Sequence, residues 1–122
     1  MASTREVVIV NGARTAIGDY GGALKDIPPT ELGARVVREA IARSKVDPAQ
    51  IGQCVFGNVI HTETRDMYLS RVVGINGGLP HASGALTVNR LCGSGMAALA
   101  DAARAIRCGE GELFLAGGVV DP

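Results

Sequence analysis

The sequence has no tryptophan, and its other aromatic residues are only two tyrosines and two phenylalanines. Proteins that bind single-stranded nucleic acid stack bases on aromatic side chains, so this composition argues against that class. Twelve basic and twelve acidic residues leave a formal net charge of zero. A nucleic-acid-binding arm or a patch for anionic membranes needs an excess of lysine and arginine. We therefore expect neither nucleic acid nor a membrane among the partners.

Cysteine is scarce as well. The three cysteines are Cys54, Cys92 and Cys108, and no two of them form a Cys-X-X-Cys pair. Their odd number and their spacing argue against a disulfide framework and against a zinc site. No apolar run approaches the ~20 residues that span a bilayer, and no apolar signal-peptide core follows the first residues. We expect a soluble protein of the reducing cytoplasm that binds no metal.

Length and composition indicate a small folded unit. The chain has 122 residues, which suits one domain or a piece of one. Apolar residues make up 47% of the sequence and provide material for a hydrophobic core. The 17 glycines are dispersed, so they indicate tight turns between strands and helices instead of a low-complexity linker.

Four apolar runs predict strands. Residues 7–10 are β-branched throughout, which indicates a strand covered on both faces. The remaining runs are residues 54–57, 85–88 and 113–116. Helical patterns separate the four runs, and such an alternation is typical of a layered α/β sandwich with a mostly parallel sheet.

Each predicted helix has a start signal or an apolar face. Thr30 is predicted to cap the first helix, and Thr64 the second, which we expect to end within residues 74–78. The third helix follows Cys92. Its predicted core-facing stripe consists of Met96, Leu99, Ala100, Ala103 and Ile106.

Cys92 lies where a predicted strand is followed by a predicted helix. Gly93 and Gly95 allow a sharp turn there and leave the sulfur unobstructed. Unpaired N–H groups and the dipole of a helix N-terminus favour an anion. A thiolate is therefore easier to form at this place, and a thiolate is a usable nucleophile.

Two other interpretations of this segment are open. Free cysteine is among the most buried residue types, so Cys92 could be an unreactive core thiol. Residues 93–98 also match the Gly-X-Gly-X-X-Ala fingerprint of dinucleotide-binding turns. That fingerprint needs an acidic residue at the end of the next strand, whereas Glu110 and Glu112 precede that strand.

The segment around Cys92 resembles the nucleophile segment of the thiolases, the family of acetyl-CoA acetyltransferases and β-ketothiolases. It runs Asn89-Arg90-Leu91-Cys92-Gly93-Ser94-Gly95-Met96. Residues 7–18 are similar to the opening strand and loop of that family, and residues 21–24, 31–33 and 55–59 agree with it too. The resemblance extends over almost the whole chain.

The resemblance implies a thiolase-like fold and an acyl-transfer function. In thiolases the cysteine that matches Cys92 attacks an acyl-CoA or 3-ketoacyl-CoA and carries the acyl group as a thioester. The backbone N–H of the same residue helps to hold the oxyanion. The implied reaction is thiolysis of 3-ketoacyl-CoA or condensation of acyl-CoA units in fatty acid metabolism. Coenzyme A is then a substrate, and no cofactor is implied.

The resemblance also suggests a substrate class and partners. Residues 62–69 are similar to the β-ketothiolase branch that accepts somewhat longer acyl chains, so Met67 is a candidate for the acyl pocket. Expected partners are the acyl-CoA substrate and either a second copy of the chain or a complementing thiolase chain. A non-catalytic dimerisation fragment is the alternative, because in the family the strand matching residues 85–89 lies at the subunit contact.

Thiolases draw further catalytic groups, a histidine base and a second cysteine acid/base, from segments far downstream. His61, His81 and the two remaining cysteines do not lie in the matching motifs. We therefore expect residues 1–122 to be the first part of a thiolase N-terminal domain, without the C-terminal domain. We expect such a chain to have little activity alone.

Overall fold

The structure is a computed structural model that describes residues 5–120. Three strands alternate with three α-helices after a long N-terminal segment. The strands are β1 (Gln53–Gly57), β2 (Gly84–Val88) and β3 (Phe114–Gly118). The helices are α1 (Pro29–Ser44), α2 (Leu69–Gly77) and α3 (Ser94–Arg107). Short 3-10 helices at Pro48–Gln50 and Thr64–Tyr68 precede β1 and α2.

The three strands form one parallel sheet in the order β2-β1-β3. In the central register Val55 of β1 lies opposite Leu86 of β2 and Ala116 of β3. The connections through α2 and α3 run in opposite directions across the sheet, so right-handed crossovers place these two helices on opposite faces. The predicted layered α/β architecture with a parallel sheet is confirmed.

The prediction of a strand at residues 7–10 is wrong for the described structure. Residues 7–10 belong to no strand, and Val8, Ile9 and Val10 are 68%, 78% and 55% exposed. The sequence run is suitable for a strand, but a strand also needs a neighbour to pair with. No main-chain hydrogen bond within residues 5–120 involves this run.

The core lies where α1 and α2 cover one face of the central strand β1. Its buried members are Val37, Ile51, Cys54, Phe56, Leu69, Val73 and Leu79. Two buried serine hydroxyls bind the main chain around it: Ser70 donates to the Cys54 carbonyl at 2.7 Å and Ser83 to the Ile51 carbonyl at 2.5 Å. These bonds connect α2 and the residue before β2 to the segment that contains β1. They also pair both buried hydroxyls, which would be destabilising if they had no partner.

Several predicted helix ends are corrected. Helix α1 begins at Pro29 after Pro28, so Thr30 is its second residue and not its cap. The segment predicted as one helix from Thr64 is divided into a 3-10 helix capped by Glu63 and the α-helix α2. Helix α2 ends at Gly77, within the predicted range of residues 74–78, and it packs against α1.

Helix α3 presents a different face to the sheet from the one predicted. Its buried hydrophobic residues are Ala98 and Ala102, whereas Met96 and Leu99 of the predicted core-facing stripe are 71% and 38% exposed. The close approach of the helix backbone to the sheet selects small residues at the contact. The stripe lies instead along a cleft beside β3.

The buried thiol of Cys54 gives the fold a testable pH dependence. Burial raises the pKa of Cys54 from 9.0 to about 11, while its contact with Ser70 lowers it by less. The folded state therefore holds the neutral thiol, and the unfolded state releases the proton first as the pH rises. The free energy of unfolding should stay level below pH 9 and fall by up to about 2.7 kcal/mol towards pH 11.

Urea unfolding between pH 7 and pH 11 tests this expectation. The Cys54→Ala variant is the matched control, because it removes the buried thiol and leaves the other groups that titrate in this pH range in place. Its stability should be lower at pH 7 but should lose less on going to high pH. An equal loss in both proteins would contradict the assignment of the pH dependence to Cys54.

Candidate active site

Cys92 lies in the short turn between the last residue of β2, Val88, and the first residue of α3, Ser94. Its side chain is exposed. The interpretation of Cys92 as a buried core thiol is therefore wrong. The turn stands at the carboxyl edge of the parallel sheet, where α/β proteins place their ligand sites.

Leu91 gives the turn an uncommon backbone conformation. Its φ of 51° lies in the left-handed region, which bulky L-residues rarely adopt. The side-chain oxygen of Asn89 accepts a hydrogen bond from the Leu91 N–H at 3.0 Å and so supports this conformation. Such strain costs on the order of 1–3 kcal/mol and is most often found at functional sites.

The hydroxyl of Ser94, the first residue of α3, hydrogen-bonds the backbone of the turn. It accepts a hydrogen bond from the Arg90 N–H at 2.7 Å and donates to the Leu91 carbonyl at 2.7 Å. Ser94 itself is buried, so water does not compete with these bonds. Cys92 lies between the residues that these two bonds join, so Ser94 holds the backbone of the turn that carries Cys92.

Several N–H groups of the Cys92 turn and the first turn of α3 are unpaired. Within the described part of the chain, the N–H groups of Cys92, Gly95 and Met96 have no acceptor, while the Gly93 carbonyl already accepts the first helical hydrogen bond from Ala97. These groups belong to the N-terminus of α3, where the helix dipole is positive. The place is suited to an oxyanion that develops beside the sulfur.

Two glycines of the sheet set the position of this helix end. A Cβ atom at Gly57 would lie 2.6 Å from the Ser94 Cβ and 2.7 Å from its carbonyl carbon. A Cβ atom at Gly118 would lie 3.1 Å from the Gly95 Cα. The N-terminus of α3 therefore rests directly on the backbone at the ends of β1 and β3, where no larger residue has room.

The other two cysteines occupy different environments. Cys54 is buried and its pKa is raised to about 11, so it stays a neutral thiol at physiological pH. Cys108 is exposed and forms the C-cap of α3, at the opposite end of the same helix from Cys92. The negative end of the helix dipole does not favour an anion there.

The remaining candidates stay apart from this turn. Met67 is 54% exposed in the 3-10 helix Thr64–Tyr68, and its role in an acyl pocket stays a prediction. His61 and His81 are exposed, and neither hydrogen-bonds the Cys92 turn within residues 5–120. The dinucleotide interpretation requires an acidic residue at the end of β3. Strand β3 ends at Gly118 and is followed by Val119, so this requirement is not met.

Two polar residues of this edge, Ser94 and Asn58, are not predictable from sequence spacing. The two side-chain hydrogen bonds of Ser94 depend on the left-handed turn before it. Asn58 follows β1, is 1% exposed, and donates its backbone N–H to the Val88 carbonyl at 3.0 Å. Its side-chain amide has no partner among the described residues. A buried amide below the end of β2 is not visible from sequence spacing alone.

Comparison with known proteins decides the family. A sequence model described as the N-terminal domain of thiolase matches residues 7–120. The chain belongs to the thiolase family. The match includes the turn with Cys92, both glycine contacts below it and all three strands of the sheet.

Individual thiolases agree with this assignment. The chain is 58% identical to β-ketothiolase BktB of Cupriavidus necator over 115 residues, which is 94% of this chain and 29% of that protein. The crystal structure of Bacillus anthracis acetyl-CoA acetyltransferase superposes with a TM-score of 0.90 at 35% identity, covering 97% of this chain and 30% of that one. Human mitochondrial 3-ketoacyl-CoA thiolase in complex with CoA gives 0.82 at 38% identity, covering 84% and 26%.

The chain thus spans about 30% of the length of the thiolases that it matches. It is homologous to the N-terminal part of acetyl-CoA acyltransferases. Within residues 5–120, no helix is long and apolar enough to cross a membrane.

Proposed function

We propose that Cys92 is the nucleophile of a thiolase-type acyltransferase. The observation that carries the proposal is that Cys92 is exposed and immediately precedes the N-terminus of α3, where its own N–H and those of Gly95 and Met96 have no acceptor among the described residues. Of the three thiols, Cys54 is buried and Cys108 lies at the opposite end of the helix. Only Cys92 combines access with donors that can receive a developing negative charge.

In the proposed half-reaction, the Cys92 thiolate attacks the carbonyl carbon of an acyl-CoA. Negative charge moves to the carbonyl oxygen, which accepts a hydrogen bond from the Cys92 N–H. The carbon–sulfur bond to CoA then breaks, and CoA leaves as a thiolate that takes a proton from solvent. The acyl group remains on Cys92 as a thioester, which divides one difficult transfer into two easier steps.

The same proposal covers the overall reaction, the acyl pocket and the cellular location. We propose thiolysis of 3-ketoacyl-CoA or condensation of acyl-CoA units, with coenzyme A as a substrate and not as a cofactor. The identity with a β-ketothiolase favours that branch, with Met67 in the acyl pocket. A cytoplasmic location stays a prediction, because a human relative is named mitochondrial.

We propose that residues 1–122 supply the first part of a thiolase N-terminal domain and need further thiolase chain for turnover. General acid and base groups contribute typically ~10²–10⁴-fold each. Neither His61 nor His81 hydrogen-bonds the Cys92 turn within the described residues. We expect the purified chain to thiolyse acetoacetyl-CoA at least about 100-fold more slowly than a complete thiolase. A normal rate would contradict this expectation.

Exchange of labelled CoA into acetyl-CoA tests the half-reaction without requiring thiolysis. The chain should catalyse exchange above the rate in buffer, because only acyl transfer to Cys92 and back is needed. Cys92→Ser should return the rate to that of buffer. Cys108→Ser is the matched control, since Cys108 is also exposed, and it should exchange like the unchanged protein. Equal exchange by Cys92→Ser would overturn the proposal.

A second candidate function is a non-catalytic dimerisation fragment. Strand β2 is an edge strand of the described sheet, and its residues Gly84, Ala85 and Leu86 are exposed. An unpaired strand edge is a ready template for another chain. Stable dimers that show no CoA exchange would favour this function over acyl transfer.

A further inference from the structure

Thr87 of β2 makes a hydrogen bond that the acyl-transfer proposal does not use. Its hydroxyl oxygen accepts from the Ser70 N–H, in the first turn of α2, at 3.1 Å. The N-cap residue of α2, Tyr68, supplies no side-chain hydrogen bond to that turn. The first N–H groups of a helix need acceptors from outside the helix. For α2 such an acceptor is a side chain on a strand, and the bond ties the start of the helix to β2.

The segment that carries Met67 is held on both sides by buried polar residues. On its N-terminal side, the buried carboxylate of Asp66 accepts hydrogen bonds from the Thr62 N–H at 2.7 Å and the Thr62 hydroxyl at 2.8 Å. On its C-terminal side, the buried residue Ser70 is bound to Thr87. A segment fastened at both ends by paired buried groups has little freedom to move.

Met67 and Cys92 belong to the same edge of the sheet. The 3-10 helix Thr64–Tyr68 lies in the connection from the carboxyl end of β1 to α2. Thr87 is the last residue but one of β2, and the Cys92 turn leaves the same end of that strand. Met67 thus offers an exposed, unbranched apolar side chain on a fixed segment at the edge where an acyl group on Cys92 would lie.

We propose that Thr87 is a positioning residue that sets acyl-chain-length selectivity by fixing the helix Thr64–Tyr68, and with it Met67, relative to the Cys92 turn. This inference rests on the proposed function, because it assigns the acyl chain to Cys92 and the acyl contact to Met67. Thr87 acts through Met67 and does not touch the reacting atoms. Longer acyl chains depend on the position of Met67, because each further methylene group that contacts an apolar side chain is favourable. An acetyl group is too short to depend on it.

Exchange of labelled CoA into acetyl-CoA and into hexanoyl-CoA tests the proposal. Both rates are measured well below the KM, so that their ratio compares two values of kcat/KM. Thr87→Val keeps the shape of the side chain but removes the acceptor of the Ser70 N–H. It should lower the ratio of hexanoyl to acetyl exchange by at least about fivefold and change the acetyl rate by less than about twofold. Thr87→Ser retains the hydroxyl and should keep the ratio of the unchanged protein.

Two further variants separate positioning from a general loss of stability. Ser70→Ala removes the buried bond from the Ser70 hydroxyl to the Cys54 carbonyl but keeps the N–H that Thr87 accepts. It should unfold at lower urea concentration and keep the exchange ratio. Met67→Ala should lower the ratio at least as much as Thr87→Val. Combining the two substitutions should lower it no further than Met67→Ala alone, because effects that act through one contact do not add.

Alkylation of Cys92 tests the role of Thr87 without any acyl transfer. N-ethylmaleimide and N-hexylmaleimide differ only in the length of the alkyl chain. In both, the sulfur adds to one carbon of the ring double bond and the other carbon takes a proton from solvent. Peptide mapping by mass spectrometry measures Cys92, with the exposed Cys108 of the same sample as reference. The hexyl-to-ethyl rate ratio at Cys92, relative to that at Cys108, should fall by at least about threefold in Thr87→Val and persist in Thr87→Ser.

Three results would overturn the role of Thr87. The first is an unchanged maleimide ratio in Thr87→Val, and the second is an equal fall in Thr87→Ser. The third is a combined variant in which the effects of Thr87→Val and Met67→Ala multiply. If the unchanged protein exchanges no acetyl-CoA above the rate in buffer, the acyl-transfer proposal fails, and the maleimide ratio alone then decides whether Thr87 positions Met67.

Discussion

Gly57→Val is expected to destabilise the chain by about 3 kcal/mol and to displace the Cys92 turn. A Cβ atom at this position would lie 2.6 Å from the Ser94 Cβ and 2.8 Å from the Ser94 carbonyl oxygen. The contact atoms belong to the first turn of α3, so the helix end must move away from the sheet. Because Cys92 stands just before that turn, CoA exchange should fall together with stability.

Urea unfolding and CoA exchange measure the two effects of this substitution. Gly84→Val is the matched control, because Gly84 is also a strand glycine and a Cβ atom there would approach nothing closer than 3.8 Å. We expect its unfolding free energy to change by less than about 0.5 kcal/mol. Similar losses in both variants would contradict the direct contact between the α3 backbone and the end of β1 as the cause.

Ser94→Ala is expected to reduce CoA exchange by about tenfold while the fold persists. The substitution removes the acceptor of the Arg90 N–H and one donor to the Leu91 carbonyl, both at 2.7 Å. Each such hydrogen bond contributes on the order of 1 kcal/mol. The left-handed Leu91 can then relax, and the backbone that carries Cys92 is no longer held relative to the N–H groups of α3.

Ser83→Ala separates this effect from a general loss of stability. Ser83 is also a buried serine, and its hydroxyl donates to a main-chain carbonyl at 2.5 Å, but it lies at the start of β2 and not at the turn. Both variants should unfold at lower urea concentrations, and only Ser94→Ala should lose exchange when measured well below its unfolding transition. Equal exchange in the two variants would contradict the positioning role of Ser94.

The parallel sheet and the Cys92 corner could be predicted because their signals are local. A short, partly β-branched run, two glycines and a helical pattern follow one another within residues 85–106, and their order alone predicts a strand, a turn and a helix. The exposure of Cys92 follows from its place at the carboxyl edge. Its chemical role has no such local proof and stays a proposal.

The pairing of strands and the face that a helix turns towards the sheet depend on distant parts of the chain. They could not be predicted from local signals. Residues 7–10 have the composition of a buried strand, but no neighbouring strand pairs with them in the described structure. Helix α3 has an obvious apolar stripe, yet it buries Ala98 and Ala102 because only small side chains fit between the helix and the sheet. The left-handed φ of Leu91 could not be predicted either, since leucine has no preference for that region.

The central claim is that one of three sulfurs, that of Cys92, receives the acyl group. The most direct measurement is peptide mapping by mass spectrometry after incubation with excess acetyl-CoA and an acid quench that preserves thioesters. We predict acetylation on the peptide that contains Cys92, with Cys54 and Cys108 unmodified. Acetylation of Cys108 to the same or a greater extent, or no acetylation of Cys92, would contradict the account.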